Sequence, residues 1–432
     1  MTDKLWHTVI NSDSDEELQM LCRAALEEES ENLQRRTRVH RGSIQGHAVM
    51  HRGRISGHHR LYNDYFSENP VYTLSQFRRR FRMRKPLFIR IVNAVEAHDL
   101  YFQQKRNCAG SLDLSALQKV TAAVRMLAYG VAADAVDDYV RIAESASIES
   151  LKKFVQEIID VFGNEYLRTP NSADICRLLS EGERRGFPGM LGSIDCMHWK
   201  WKNCPVAWKG MYARGDHREP SLILEAVASY DLWIWHGFFG LLGSHNDINV
   251  LDRSPIFTDL GEGRTPPTNY SINGHEYTTG YYLADGIYPS WATFVKTIPC
   301  PNGSKATKFA AAQESARKDV ERAFGVLQAC FSIVRGPARF WDRQTLQHIM
   351  KACIIMHNMI IEDERDQSPT PNYDAREGEC SDLPVSRDHT TEFQDFIQNH
   401  LRIRDKRTHS QLQTDLVEHL WHFQGRYEEA CD

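Results

Sequence analysis

Residues 190–202 read MLGSIDCMHWKWK, residues 221–231 SLILEAVASYD, and residues 232–243 LWIWHGFFGLLG. Each is a short apolar run rich in aromatic and aliphatic side chains, bounded by Gly, Pro, Asn or Asp. That pattern predicts three consecutive strands. GSHNDINVL (243–251) follows as a loop entering a helix. Residues 252–279, rich in Pro, Gly and Asn, read as loop, and YYLADGIYP (281–289) as a fourth strand ending in a turn. FAAAQESARKDVERAFGVLQACF (309–331) and TLQHIMKACIIMHNMIIEDER (345–365) carry helical periodicity. Three strands, a helix, a strand and then helices predict a layered α/β domain with a mixed sheet.

Four acids stand at telling positions on that frame. Asp195 lies inside the first strand, between Ile194 and Cys196. A charge there is costly unless it is paired or bound to a metal. Asp247 lies at the loop-to-helix junction, Asp285 at the end of the fourth strand, and Glu321 in the following helix. Acids at the ends of adjacent strands, with one from a helix packed across them, converge on one point. Two-cation phosphodiester chemistry needs such carboxylates, and the hard cations Mg²⁺ and Mn²⁺ prefer oxygen ligands. Asp195, Asp285 and Glu321 are the expected catalytic set, with Asp247 as a further metal ligand. Simpler roles compete for three of them. Asp247 could cap its helix, Asp285 could be a turn residue before Gly286, and Glu321 could pair with Arg317 or Lys318. Arg317, one turn before Glu321, could instead reach phosphate. His198 and His245 are expected to hydrogen-bond around the acids rather than to ligate. Trp199, Trp201, Trp208, Trp233 and Trp235 could stack on bases, though core packing is the commoner use of such residues. No G-x-S-x-G elbow supports a serine hydrolase, and a hydrolase built on His198 or Cys196 is set aside.

Outside this region the charge is uneven. Residues 1–34 hold nine Asp/Glu against two Lys/Arg, and residues 35–90 hold fourteen Lys/Arg against two Asp/Glu. The acidic head contains a predicted helix over 16–33. The Gly/His/Arg-rich stretch 35–60 reads as a disordered linker able to meet a phosphate backbone or to direct nuclear import. FRRRFRMRKPLFIRIVNAV (77–95) predicts basic helical structure broken near Pro86. Three helices are predicted over 114–167: one stopped by Gly130, one over 132–145, and one capped at Ser147 and stopped by Gly163. Together they match a weak helix-turn-helix pattern. Residues 366–387 read as a polar linker, with a final helix near 392–422. The expected domains are therefore 1–60, an acidic then basic arm; 61–170, helical; 188–362, the α/β domain; and 363–432, linker and C-terminal helix. The ten cysteines form no C-x-x-C pair, so reduced thiols are expected. No apolar run is long enough for a membrane span.

GSIDCMHWKWKNCP, GSHNDINVL, YYLADGIYP, ESARKDVERAFGVLQ and ACIIMHNMIIEDE, in this order, resemble the plant PIF/Harbinger-type transposase family and its domesticated relatives. The resemblance covers about residues 60–365. It implies a DDE nuclease domain of RNase H-like fold that acts on DNA with Mg²⁺ or Mn²⁺. The family's acids fall on Asp195, Asp247, Asp285 and Glu321, with Arg317 before the last. Whether Asp247 or Asp285 is the second member of the triad stays open in the motifs; the strand-end position favours Asp285. Distant bacterial relatives carry a lysine six or seven residues after the glutamate, where this chain has Leu327 and Gln328. The resemblance also implies a nuclear location, shared or not with the cytoplasm. The expected partners are DNA, a Myb/SANT-like DNA-binding helper and a further copy of the chain, with no membrane. A domesticated nuclear factor without cleavage is the alternative, although none of the four acids is eroded.

Overall fold

The computed structural model describes residues 50–106, 108, 110–215, 219–258, 268–365, 398–399 and 401–431. The acidic helix expected over 16–33 and the linker over 366–387 lie outside them. The described residues from Arg52 onward form one compact unit.

The basic segment does not stay a linker up to residue 60. Helix α1 spans Arg54–Tyr65. Its buried Leu61 and Tyr65 anchor it, and Gly57 lets it approach Arg141, whose Cβ would lie 2.7 Å from a side-chain carbon at that position. Burial of this apolar face outweighs the polar composition that suggested disorder. Helices α2 (Leu74–Phe81) and α3 (Lys85–His98) follow, with Pro86 tolerated in the first turn of α3. The arginines here are largely engaged within the chain. Arg78 and Arg84 pair with Glu364 and Asp363, Arg90 donates to the Tyr166 hydroxyl at 2.8 Å, and Arg80 stacks over Tyr72 at 3.8 Å.

Helix α4 (Ala116–Tyr129) begins at a Ser115–Gln118 capping box and ends, as its sequence predicts, at Gly130, which lies in the left-handed region. Helix α5 covers Asp134–Val140. Helix α6 runs over Glu144–Tyr166, so it starts before Ser147 and passes through Gly163. Ser147 is fully buried inside it, and Phe162 and Tyr166 continue its apolar stripe beyond the glycine. The stripe therefore sets the helix length where the local signals pointed to shorter ends. Helix α7 (Ser172–Arg184) leads into the sheet.

Strands β1 (Met190–Lys200), β2 (Ser221–Ala228) and β3 (Ile234–Leu242) form an antiparallel meander. After a short helix α8 (Asp247–Leu251) comes a small hairpin, β4 (Tyr270–Ile272) and β5 (His275–Tyr277), inside the segment read as loop. Strands β6 (Tyr281–Ala284) and β7 (Phe294–Lys296) complete the main sheet in the order β3-β2-β1-β6-β7, with β6 parallel to both β1 and β7. Strand β7, three residues long, has no sequence signal of its own.

The region 309–331 is two helices rather than one: α9 (Ser304–Arg317) and α10 (Asp319–Cys330), broken at Lys318 with ψ near −1°. Tertiary partners hold the break. The Val320 amide donates to Ser193 Oγ at 3.1 Å, and buried Asp319 accepts from Arg185 at 2.6 Å. Helix α11 (Arg343–Arg365) covers the outer strand β3. Buried Asn358 accepts from the Ile234 amide at 2.9 Å and donates to the carbonyls of Ile234 and Tyr166. The exposed edge of the sheet is thereby satisfied from a helix. Helix α12 (Lys406–Cys431) lays Leu412, Leu416 and Leu420 on Phe187, Met190 and Tyr281. One apolar cluster runs from Leu61 on α1 through α6 and α11 to the sheet. Among the described residues no helix is long and apolar enough to cross a membrane.

Candidate active site

Strand β6 pairs with β1 only as far as Ser193–Leu283. Beyond that pair one edge of β1 is open, and Asp285 follows Ala284, the last residue of β6, at the end of the sheet toward which Asp195 lies. The carboxylate of Asp285 accepts from the Gly286 amide at 2.5 Å and is exposed to solvent. The turn role expected for it is present, and the strand-end position is present too.

Asp195 points to the same face as Ser193, toward the break between α9 and α10. Its Oδ1 accepts from the Cys196 amide at 2.8 Å. Its Oδ2 lies 3.5 Å from Arg317 Nη1, and the same nitrogen lies 3.0 Å from Glu321 Oε1. One guanidinium thus sits between a strand acid and a helix acid. The pairing of Glu321 with Arg317 is therefore real, but it is shared with Asp195. Burial pushes the Asp195 carboxyl up to about 6, against the pull of the Cys196 amide and Arg317; the charges of Asp247 and Glu321 push it further. Desolvation outweighs the ion pair because Arg317 is split between two carboxylates.

Asp247 is the first residue of α8, but it is not the cap. Asn246 takes that role, accepting from the Asn249 amide at 2.9 Å. The Asp247 carboxylate is left to act on its neighbours, and its charge raises the pKa of Asp195, Cys196 and Glu225. Gly243 makes this approach of α8 possible. Its amide donates to Ser221 O at 2.9 Å, and a Cβ there would lie 2.6 Å from the carbonyl oxygens of Ser221 and Tyr212.

His198 hydrogen-bonds Ser221 Oγ through Nδ1 at 3.1 Å, on the sheet face opposite Asp195. His245 is half-buried, and burial with nearby Arg253 lowers its pKa. Of the tryptophans, Trp199, Trp201, Trp233 and Trp235 are core residues, while Trp208 is 39% exposed. The residue that sequence reading missed is Glu225, a fully buried acid in β2 directly opposite Cys196. Its signal, an acid inside LILEAVA, was of the kind that singled out Asp195. Among the described residues, no three His, Cys, Asp or Glu side chains stand close enough together to hold a metal ion.

Residues 164–368 match the plant transposon protein family, a span that contains all four predicted acids and Arg317. Over this span, just under half of the chain, the sequence is similar to that family. The transposase resemblance carried by the motifs is thereby borne out. Residues 57–96 match a domain of unknown function. The chain is also similar to "Protein ALP1-like" of Arabidopsis thaliana, 24% identical over 279 residues, which cover 64% of this chain and 65% of that protein. The match thus spans just under two thirds of the length of that relative. No solved structure matches the chain.

The raised Asp195 pKa has a stability consequence. The folded state holds this proton up to about pH 6, whereas an ordinary aspartate releases it near 3.8. Between those values the folded state binds more protons than the unfolded one, so this residue's contribution falls as pH rises. Asp195→Asn is expected to gain stability over wild type by more at pH 8 than at pH 4.5, read as the difference in melting temperature. An equal difference at both pH values would remove the buried-charge account.

Proposed function

We propose that this chain is a divalent-cation-dependent DNA endonuclease or transposase with an RNase H-like fold, acting in the nucleus. The fold reading is supported by the strand order and senses, a meander β3-β2-β1 joined to parallel β6 and β7. The site reading rests on one observation above all: buried Asp195 shares a guanidinium with Glu321 and feels the charge of Asp247, and Asp285 directly follows the last residue of the neighbouring strand.

The donor set fits Mg²⁺ or Mn²⁺ by chemistry, since it is all carboxylate oxygen. Asp195, Asp285 and Glu321, with Asp247 alongside, would hold the ion only after drawing closer together than they stand here. When bound, the cation stabilises charge on the attacking and leaving oxygens of an in-line displacement. The chain's own parts follow from their positions. The rigid strand fixes Asp195, and its bond from the Cys196 amide holds one oxygen in place. Arg317 neutralises the paired acids, and swinging aside it would meet the phosphate that replaces them. The half-exposed Glu321 faces the side from which DNA would arrive.

The test is direct. The purified full chain with supercoiled plasmid and Mn²⁺ or Mg²⁺ is expected to give nicked circles, and a chelator to prevent them. No conversion with either cation, or conversion that survives the chelator, would overturn the reading.

A further inference from the structure

A second face of the fold carries groups that the acid site does not use. Tryptophan is highly buried on average in folded proteins, yet Trp341 is 73% exposed and Trp208 is 39% exposed. Both are tied to the buried Trp201. Its indole N–H donates to the carbonyl of Phe340, next to Trp341, at 2.8 Å, and its ring lies 6.2 Å from that of Trp208. Trp201 also bridges Ala338 as a parallel neighbour, so Lys202 and Arg339 come next on the two paired segments, both exposed. Lys209 is exposed directly after Trp208. Among the described residues none of these three cations has an ion-pair partner.

Beside Trp341 opens a cavity of about 390 Å³. Trp199, Phe340, Met126, Ile148 and Leu346 give it apolar and aromatic walls, and Lys152, Arg339 and Glu144 stand among them. The nearby acid Asp342 is spent at the start of α11, accepting from the Thr345 amide and hydroxyl at 2.8 and 2.7 Å. The cavity lies along the same strand as the acid site. Trp199 is four residues beyond Asp195 on β1, hence on the same face and about 13 Å along it. Helix α10 runs the same way, from Glu321 in its first turn to Cys330, three residues before Ile333 of the cavity wall. A DNA strand advances about 3.4 Å per phosphate, so the cavity lies about four nucleotides from the acids.

We propose that this face is a site for unpaired DNA: one base enters the cavity against Trp341, a neighbouring base lies on Trp208, and Lys202, Lys209 and Arg339 meet the backbone phosphates. The inference deepens the DNA-cutting reading above and rests on it. Exposed aromatic rings set among cations suit a single strand, because every base has a face to stack and every phosphate a charge to neutralise. In a duplex the bases stack on one another, so only an unpaired or extruded base reaches the cavity.

The full chain in a chelator, which prevents cutting, is titrated with a fluorescently labelled DNA strand and with the same strand annealed to its complement. Trp341→Ala is expected to weaken single-strand binding about five- to a hundredfold, and duplex binding far less. Its side chain is mostly in solvent, so the melting temperature should not move. Trp208→Ala should act in the same direction. Lys202→Ala combined with Arg339→Ala should flatten the plot of log affinity against log salt by about 0.7 for each lost phosphate contact. Wild-type single-strand affinity and salt slope in all these variants overturn the inference, while nicking by the wild-type chain would leave the nuclease reading standing. Equal losses for single strand and duplex also overturn it, because the face then holds only backbone. The expected losses in a chain that nicks nothing keep this site and sink the cutting.

Discussion

Asp195→Asn is expected to lower metal-dependent nicking by about 10³-fold, close to background, in a variant that folds and melts no lower than wild type at neutral pH. A thousandfold corresponds to about 4 kcal/mol of transition-state stabilisation, within reach of one cation ligand in a two-cation site. The substitution keeps an oxygen for the Cys196 amide and removes only the charge. Strand β1 and its pairing with β2 are untouched. Activity and stability therefore move in opposite directions, as expected where a charge is buried for function rather than for folding. Glu321→Gln should show a similar fall with little change in stability, because its side chain is 44% exposed and its pairing is shared. Plasmid nicking time courses beside thermal melts read both quantities. Undiminished nicking by either variant would take these carboxylates out of the reaction.

Much of this architecture could be read directly. The three strands of the meander carry contiguous apolar patterns, and they form where those patterns lie. Helix α4 has both its stop and its start written locally, in Gly130 and the Ser115–Gln118 box. What was illegible depends on partners distant in the chain. Strand β7 is three residues beside β6, defined by pairing and not by periodicity. The break at Lys318 interrupts a continuous helical pattern because Ser193 and Arg185, from elsewhere in the fold, take hold of Val320 and Asp319. Helix α1 looked like linker because its apolar contribution is only Leu61, Tyr65 and a close-packed glycine. For the site, the strand acid and the helix acid could be paired in advance from topology. The sharing of Arg317 could not, because Glu321 sits beyond a break invisible in the pattern. Glu225 was legible by the same rule as Asp195. It was passed over because no neighbouring motif drew attention to it.

That break supports the second large effect. Asp319 is 1% exposed at its side chain, accepts from Arg185 at 2.6 Å, and also pairs with Arg322. Removing one member of a buried pair leaves the other's charge uncompensated, which costs about 3–5 kcal/mol. Asp319→Ala is therefore expected to destabilise the folded chain by that amount, because Arg185 keeps 20% exposure and cannot fully escape to water. The same change should loosen the geometry that sets Arg317 against Asp195 and Glu321, since both flank the break. Nicking should fall with stability here, unlike in Asp195→Asn. The double variant Asp319→Ala with Arg185→Met, which removes both ends of the pair, should recover much of the lost stability, because no buried charge is left stranded. Denaturant melts of the single and double variants measure the difference. If the double variant is no more stable than Asp319→Ala alone, the pair does not hold the break, and the split between α9 and α10 must come from the Ser193–Val320 bond instead.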